Sequence, residues 1–131
     1  GKLLVVTDDF ANSDKPALFR CNLDGSGCGY VDISAGQGPS SGVTPSAVVD
    51  TIHAELLVVT DEGGAMAGTP ALFRCNLDGS GCSYVDISAG QAGSGAAPVA
   101  LIDQANNNLR VIADSWQTGT TVGLFSVGLC R

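Results

Sequence analysis

A chain of 131 residues, 44 % apolar and only 15 % charged, can bury one hydrophobic core and lacks the polarity of a disordered tail. With 13 acidic against 6 basic residues the net charge is −7, which repels phosphate backbones and anionic headgroups and argues against nucleic acid as a partner. No apolar run approaches the ~20 residues of a membrane helix, so no membrane insertion is expected.

The chain opens at Gly1 directly in a strand-like run, with neither initiator Met nor signal peptide, which reads as a processed or trimmed N-terminus. That run, LLVVTD at 3–8, recurs at 56–61 and loosely as LRVIAD at 109–114. The next segment, PALFRCNLDGSGCGYVDISAGQ at 16–37, recurs at 70–91 with a single change, Gly29 to Ser83. Pro45-Ser-Ala-Val-Val-Asp50 is echoed by Pro98-Val-Ala-Leu-Ile-Asp103, and Gly123-Leu-Phe-Ser opens a further copy that stops at Arg131. The period is 53 or 54 residues, so the chain reads as one repeat domain of about 2.5 units: 1–45, 46–97 and a truncated 98–131.

Each unit reads as four short antiparallel strands. Ala47–Asp50 and Leu56–Thr60 are aliphatic runs of the kind buried on both faces, joined by the link T-I-H-A-E. Ala71–Leu77 alternates, with Leu72, Arg74 and Asn76 on one face and Phe73, Cys75 and Leu77 on the other. Asp78-Gly79 supplies a type I′ turn signal. Ser83–Ser88 alternates again, Val85 and Ile87 opposite Tyr84 and Asp86. Gly-, Ser- and Ala-rich connections (Ala35–Pro45, Ala89–Pro98) lead onward, and no segment has a 3.6-residue apolar period, so the fold class is all-β.

Four of the five cysteines fall in two identical C-N-L-D-G-S-G-C settings. Zinc would call for Cys-x-x-Cys knuckles or partner histidines, so disulfides and an oxidising, extracellular compartment are expected, with no metal and no cofactor. If Asp24-Gly25 is a two-residue loop, Cys21 faces Cys28 at about 4.5–5.5 Å between Cα atoms, within disulfide range, and the same holds for Cys75 and Cys82. Such a bond restrains the unfolded chain by roughly 2–3 kcal/mol and pins the hairpin register. Pairing between adjacent units is the competing pattern. Cys130 is left over, as a free thiol or half of an intermolecular bond.

Four antiparallel strands per unit with a longer Gly-rich connection is the layout of a β-propeller blade. Val58-Val-Thr-Asp61, Leu77-Asp-Gly-Ser80 and Ala100-Leu-Ile-Asp103 resemble, in order, the YWTD-type tetrapeptide, the hairpin and the preceding strand of blades in the low-density lipoprotein receptor family, although the tetrapeptide here lacks the aromatics. That resemblance implies propeller-like blades. A β-trefoil, also three repeats of four strands, is the alternative. Unclosed repeats stack, so the expected partner is the chain itself, as a homo-oligomer or polymer.

Chemistry-bearing residues are sparse. His53 is the sole histidine, its counterpart is Asn106, and no nucleophile motif accompanies it, so no enzyme is expected. Asn22-Leu-Asp24-Gly25-Ser26 resembles the opening of a calcium loop but lacks the leading acid and the later Glu. Asp8, Asp61 and Asp114 stand at one place in the three copies and are expected to satisfy the adjoining turns. Arg20 and Arg74 are expected to reach Asp32 and Asp86 as surface pairs worth ~0–1 kcal/mol. Two functions follow. The first is a secreted, self-assembling structural or adhesive module at the cell surface. The second is a multivalent lectin-like module binding glycans through Tyr30, Tyr84, Arg20, Arg74, Asn22, Asn76 and Trp116.

Overall fold

The computed structural model describes residues 1–63, 68–91, 93–115 and 121–129, and among them there is no α-helix. Among the described residues ten strands form three antiparallel sheets. The first holds β1 (Leu3–Asp9), β2 (Lys15–Cys21) and β3 (Gly29–Asp32) in chain order, with a single 3-10 turn at Phe10–Asn12 between β1 and β2. The second holds β4 (Val43–Asp50), β5 (Glu55–Glu62), β6 (Thr69–Asn76) and β7 (Ser83–Asp86), again in chain order. The third holds β8 (Ala96–Asp103), β9 (Asn108–Ser115) and β10 (Thr121–Gly128), neighbour to neighbour. A trefoil needs strands of its three units to close one barrel. Three separate sheets correct that expectation.

The sequence repeat becomes a repeat of ladder register. Val5 pairs with Phe19 and Phe19 with Tyr30 in the first sheet; Val58 pairs with Phe73 and Phe73 with Tyr84 in the second; Val111 pairs with Phe125 in the third. One residue along, Val6 pairs with Leu18, Val59 with Leu72 and Ile112 with Leu124. Directly opposed residues share a face and neighbours along a strand take opposite faces. Every sheet therefore has a Val–Phe face and a Val/Ile–Leu face.

The second sheet lies between the other two. Its Val–Phe face (Leu56, Val58, Ala71, Phe73, Cys75) packs with Leu18, Leu4, Val6 and Val31 of the first sheet. Its other face (Leu57, Val59, Leu72) packs with Ala100, Leu109, Val111, Phe125 and Val127 of the third. β5 is consequently buried along Glu55–Thr60, as its aliphatic run implies. β4 departs from the expectation of burial on both faces: Ala47 and Val49 are exposed, because β4 is an edge strand rather than a central one. Each fully buried Leu, Val or Phe contributes about 1.5–3 kcal/mol, so the stability of the chain resides in these two inter-sheet layers.

Both disulfides are present, Cys21–Cys28 and Cys75–Cys82, and the pairing between adjacent units is excluded. The turn they close is not the expected two-residue loop. The Gly25 amide donates to the Asn22 carbonyl, the Asn22 amide donates to the Ser26 carbonyl, and Gly25 and Gly27 both take positive φ. Asn76, Gly79, Ser80 and Gly81 repeat the arrangement. The Ser26 amide and hydroxyl both donate to Asp24 Oδ1, at 2.9 and 2.7 Å, which holds the turn centred on Leu23-Asp24 rather than Asp24-Gly25. The ladder ends at Arg20↔Gly29, and the disulfide closes the hairpin just beyond it.

The Gly-rich connections press against the start of the last-but-one strand of the sheet they leave, β2 in the first and β6 in the second. The Gly42 amide donates to the Asp14 carbonyl and the Gly95 amide to the Gly68 carbonyl. A Cβ on Gly42 would lie 2.1 Å from the Pro16 nitrogen, and one on Gly95 would lie 2.2 Å from Pro70 Cδ. Glycine is required at both places by close backbone approach.

Candidate interaction faces

Among the described residues two sheet faces expose apolar side chains, and they are of opposite kind, although Ala17 and Cys21 on the first are buried. The first sheet exposes its Val–Phe face, with Leu3 41 %, Val5 42 % and Tyr30 49 % accessible. The third exposes its Ile–Leu face, with Leu101 51 %, Ile112 40 % and Leu124 65 % accessible, accompanied by Val99 and Val122. Their counterparts in the second sheet, Leu56, Val58, Val59 and Leu72, are at most 1 % accessible. The same residue types at the same register are thus core in one sheet and surface in its neighbours.

Polar groups frame these faces. On the first sheet the Tyr30 hydroxyl donates to Asp9 Oδ2 at 2.7 Å, and the ring meets Phe19 edge-on with centroids 5.5 Å apart. Tyr84 repeats this on the covered face, donating to Glu62 Oε1 at 2.9 Å and meeting Phe73 at 5.5 Å. The hydrogen bond to Asp9 raises the Tyr30 phenol above its usual value, whereas burial, then Glu62, raises that of Tyr84. On the third sheet Arg110 is held by Asp103 and by the Ser126 hydroxyl, the latter at 2.8 Å, so the one cation on that exposed face among the described residues is already paired.

The residues singled out for a sugar site do not converge. Tyr30 and Arg20 lie on opposite faces of the first sheet, as Tyr84 and Arg74 do in the second. Asn22 and Asn76 are spent inside their hairpins, donating to Ser26 Oγ and Ser80 Oγ. Trp116 and Cys130 lie outside the described residues. The expected Arg–Asp pairs are corrected too. Arg74 joins Glu55 and the Leu129 carbonyl, because Asp86 stands opposite Ala71 on the other face. Arg20 has no such carboxylate, since Lys2 stands where Glu55 does in the second sheet, and its charge instead acts on Asp78 in the next hairpin. Asp32 is occupied by the Ser34 amide and by Asn12.

His53 has a partner after all. Its Nδ1 lies 2.6 Å from Oδ2 of Asp50, a carboxylate only 2 % exposed. Asp50 Oδ1 accepts from the Ile52 and His53 amides, closing the β4–β5 link. Asp103 and Asn106 build the same device in the third sheet, Asn106 donating to both Asp103 oxygens. An Asn stands in for the His because either side chain can close the turn on the aspartate. Of the aspartate triplet, Asp61 accepts from the Gly68 amide at 2.7 Å and is kept above the ordinary carboxylate range by burial, while Asp8 and Asp114 are exposed.

An open groove of about 620 Å³ runs between Lys15, Asp32 and Ser34 of the first sheet and Ser80 and Cys82 of the second hairpin. None of the residues read from the sequence as ligand-binding lines it. Among the described residues no cluster of three or more His, Cys, Asp or Glu side chains could hold a metal ion, and no helix is long and apolar enough to cross a membrane. Compared with protein-family models, curated proteins and solved structures, the chain matches none.

Proposed function

We propose that the chain is a run of propeller-blade-like sheets acting as a non-enzymatic, self-assembling structural or adhesive module outside the cell. One observation carries the reading. The outer faces of the first and third sheets present, at the same register, the side chains that are buried wherever two sheets meet inside the chain. Exposed apolar faces of this kind mark interaction surfaces on soluble proteins. The meander order, the repeated connections and the face-to-face stacking support blade-like units. The two intramolecular disulfides are compatible with an oxidising extracellular setting.

Light scattering behind a sizing column, across a range of protein concentrations and with or without reductant, tests the reading. Assembly well above 13.2 kDa is the expected result. A monomer at all concentrations would contradict it, and assembly lost on reduction would transfer the role from the sheet faces to disulfide chemistry.

A further inference from the structure

We infer that the exposed Ile–Leu face of the third sheet docks on the exposed Val–Phe face of the first sheet of a second copy, head to tail. The inference rests on the assembly reading above and adds to it which face meets which.

The template is inside the molecule, twice. Where the first sheet meets the second, Val6 and Leu18 pack against the layer of Val58 and Phe73. Where the second meets the third, Val59 and Leu72 pack against the layer of Val111 and Phe125. In both layers a Val–Leu pair is set against a Val–Phe pair, and no layer sets like against like. A third layer of the same kind needs a Val/Ile–Leu pair and a Val–Phe pair. Ile112 with Leu124 and Val5 with Phe19 are those pairs: Ile112, Leu124 and Val5 are exposed and Phe19 is half-buried under the Tyr30 ring.

The flanking positions agree. Leu101 occupies in β8 the place of Val48 in β4, and Val48 packs on the layer that contains Leu109. Leu3 stands where Leu109 and Leu56 stand. Leu101 is therefore set against Leu3 of the second copy. Several positions differ: Val99 stands for Ser46, Val122 for Pro70 and Ser126 for Arg74, and Arg110 replaces Leu57, but its guanidinium is already held by Asp103 and Ser126, which lowers the cost of covering it. Two faces of opposite kind make a heterologous contact, which propagates into a chain of copies or closes into a ring.

Single cysteines test the facing directly, in a Cys130→Ser background. Val5→Cys and Ile112→Cys proteins are oxidised alone and as a mixture, then run without reductant. Leu3→Cys with Leu101→Cys serves as a second pair should either of the first fold poorly. The expected result is a disulfide-linked dimer from each mixture and little from any protein alone. Linked dimers from the single proteins, with none gained on mixing, would overturn the inference in favour of like-on-like contact. No link in any combination, while light scattering still finds an assembly, would overturn the facing but leave the assembly reading standing. No link together with a monomer would overturn both.

Discussion

Arg74 and Glu55 form the one nearly buried ion pair among the described residues, Nη2 to Oε2 at 2.6 Å, and the same guanidinium donates to the Leu129 carbonyl at 3.1 Å. The pair binds β5 to β6 within the second sheet, and its third bond reaches the end of the third. Arg74→Met removes the guanidinium from beside the Glu55 carboxylate, which is 5 % exposed. Removing one partner of such a pair costs about 3 kcal/mol. Arg20 holds the equivalent place beside Lys2 rather than a carboxylate, and its Nε makes no hydrogen bond. Arg20→Met should cost under about 1 kcal/mol. Urea unfolding of the two variants side by side measures the contrast.

Gly42→Ala and Gly95→Ala should each destabilise by about 3 kcal/mol, because the new methyl overlaps the backbone or ring of Pro16 or Pro70 and the connection must move. Gly29→Ser, which writes the second unit's residue into the first, meets nothing within 4 Å and should change stability by less than about 0.5 kcal/mol. Thermal unfolding of all three distinguishes close approach from mere glycine content.

These contrasts mark what could and could not be read from the sequence. The repeat and the strand alternation already contain the cysteine pairing and the core side chains, because period-2 patterning and hairpin spacing are local. The turn sits one residue earlier than the Asp-Gly dipeptide implies because the Ser26 and Ser80 hydroxyls and amides satisfy Asp24 and Asp78. The sequence places Glu55 in a link, whereas it is the first residue of β5 and directly opposite Asn76, on the face that carries Arg74. Which faces are covered depends on sheets some 50 residues apart in sequence, and no local pattern carries that.

Acid should weaken the fold through its turn carboxylates. Burial pushes Asp50 up, but the His53 side chain and the His53 and Ile52 amides outweigh it and hold the carboxyl below its ordinary value. Asp32 behaves likewise, burial being outweighed by Ser34 and Asn12. A depressed folded pKa contributes stability that is complete above the unfolded value, near 4, and is lost as pH falls through the folded one. Melting temperature should therefore drop below about pH 4, and Asp50→Asn should flatten part of that fall.

At the other end of the scale the sign reverses. Tyr84 is raised by burial and by Glu62, so its contribution is complete below the unfolded phenol value of 10.0 and is lost as pH rises beyond it. Absorbance titration should find Tyr84 un-ionised past the point where a free phenol ionises. Tyr84→Phe should remove that feature and cost about 1 kcal/mol from the lost bond to Glu62.

The two disulfides should differ in reactivity despite their identical loops. Cys75–Cys82 lies against the layer between the first and second sheets, whereas Cys28 of the other bond is exposed. Limited reduction followed by alkylation and mass mapping should label Cys21 and Cys28 first. Assembly through the Val–Phe face of the first sheet should slow that labelling, since Cys21 lies on it.

The central claim is that the two uncovered faces are assembly faces, and sedimentation velocity on charge-blocked variants tests it most directly. Val5→Lys and Leu124→Lys each block one face and leave the other free. Each variant alone should sediment as a monomer where the native chain associates, and their equimolar mixture should recover a dimer and nothing larger. Association of both variants at the native level would contradict the account.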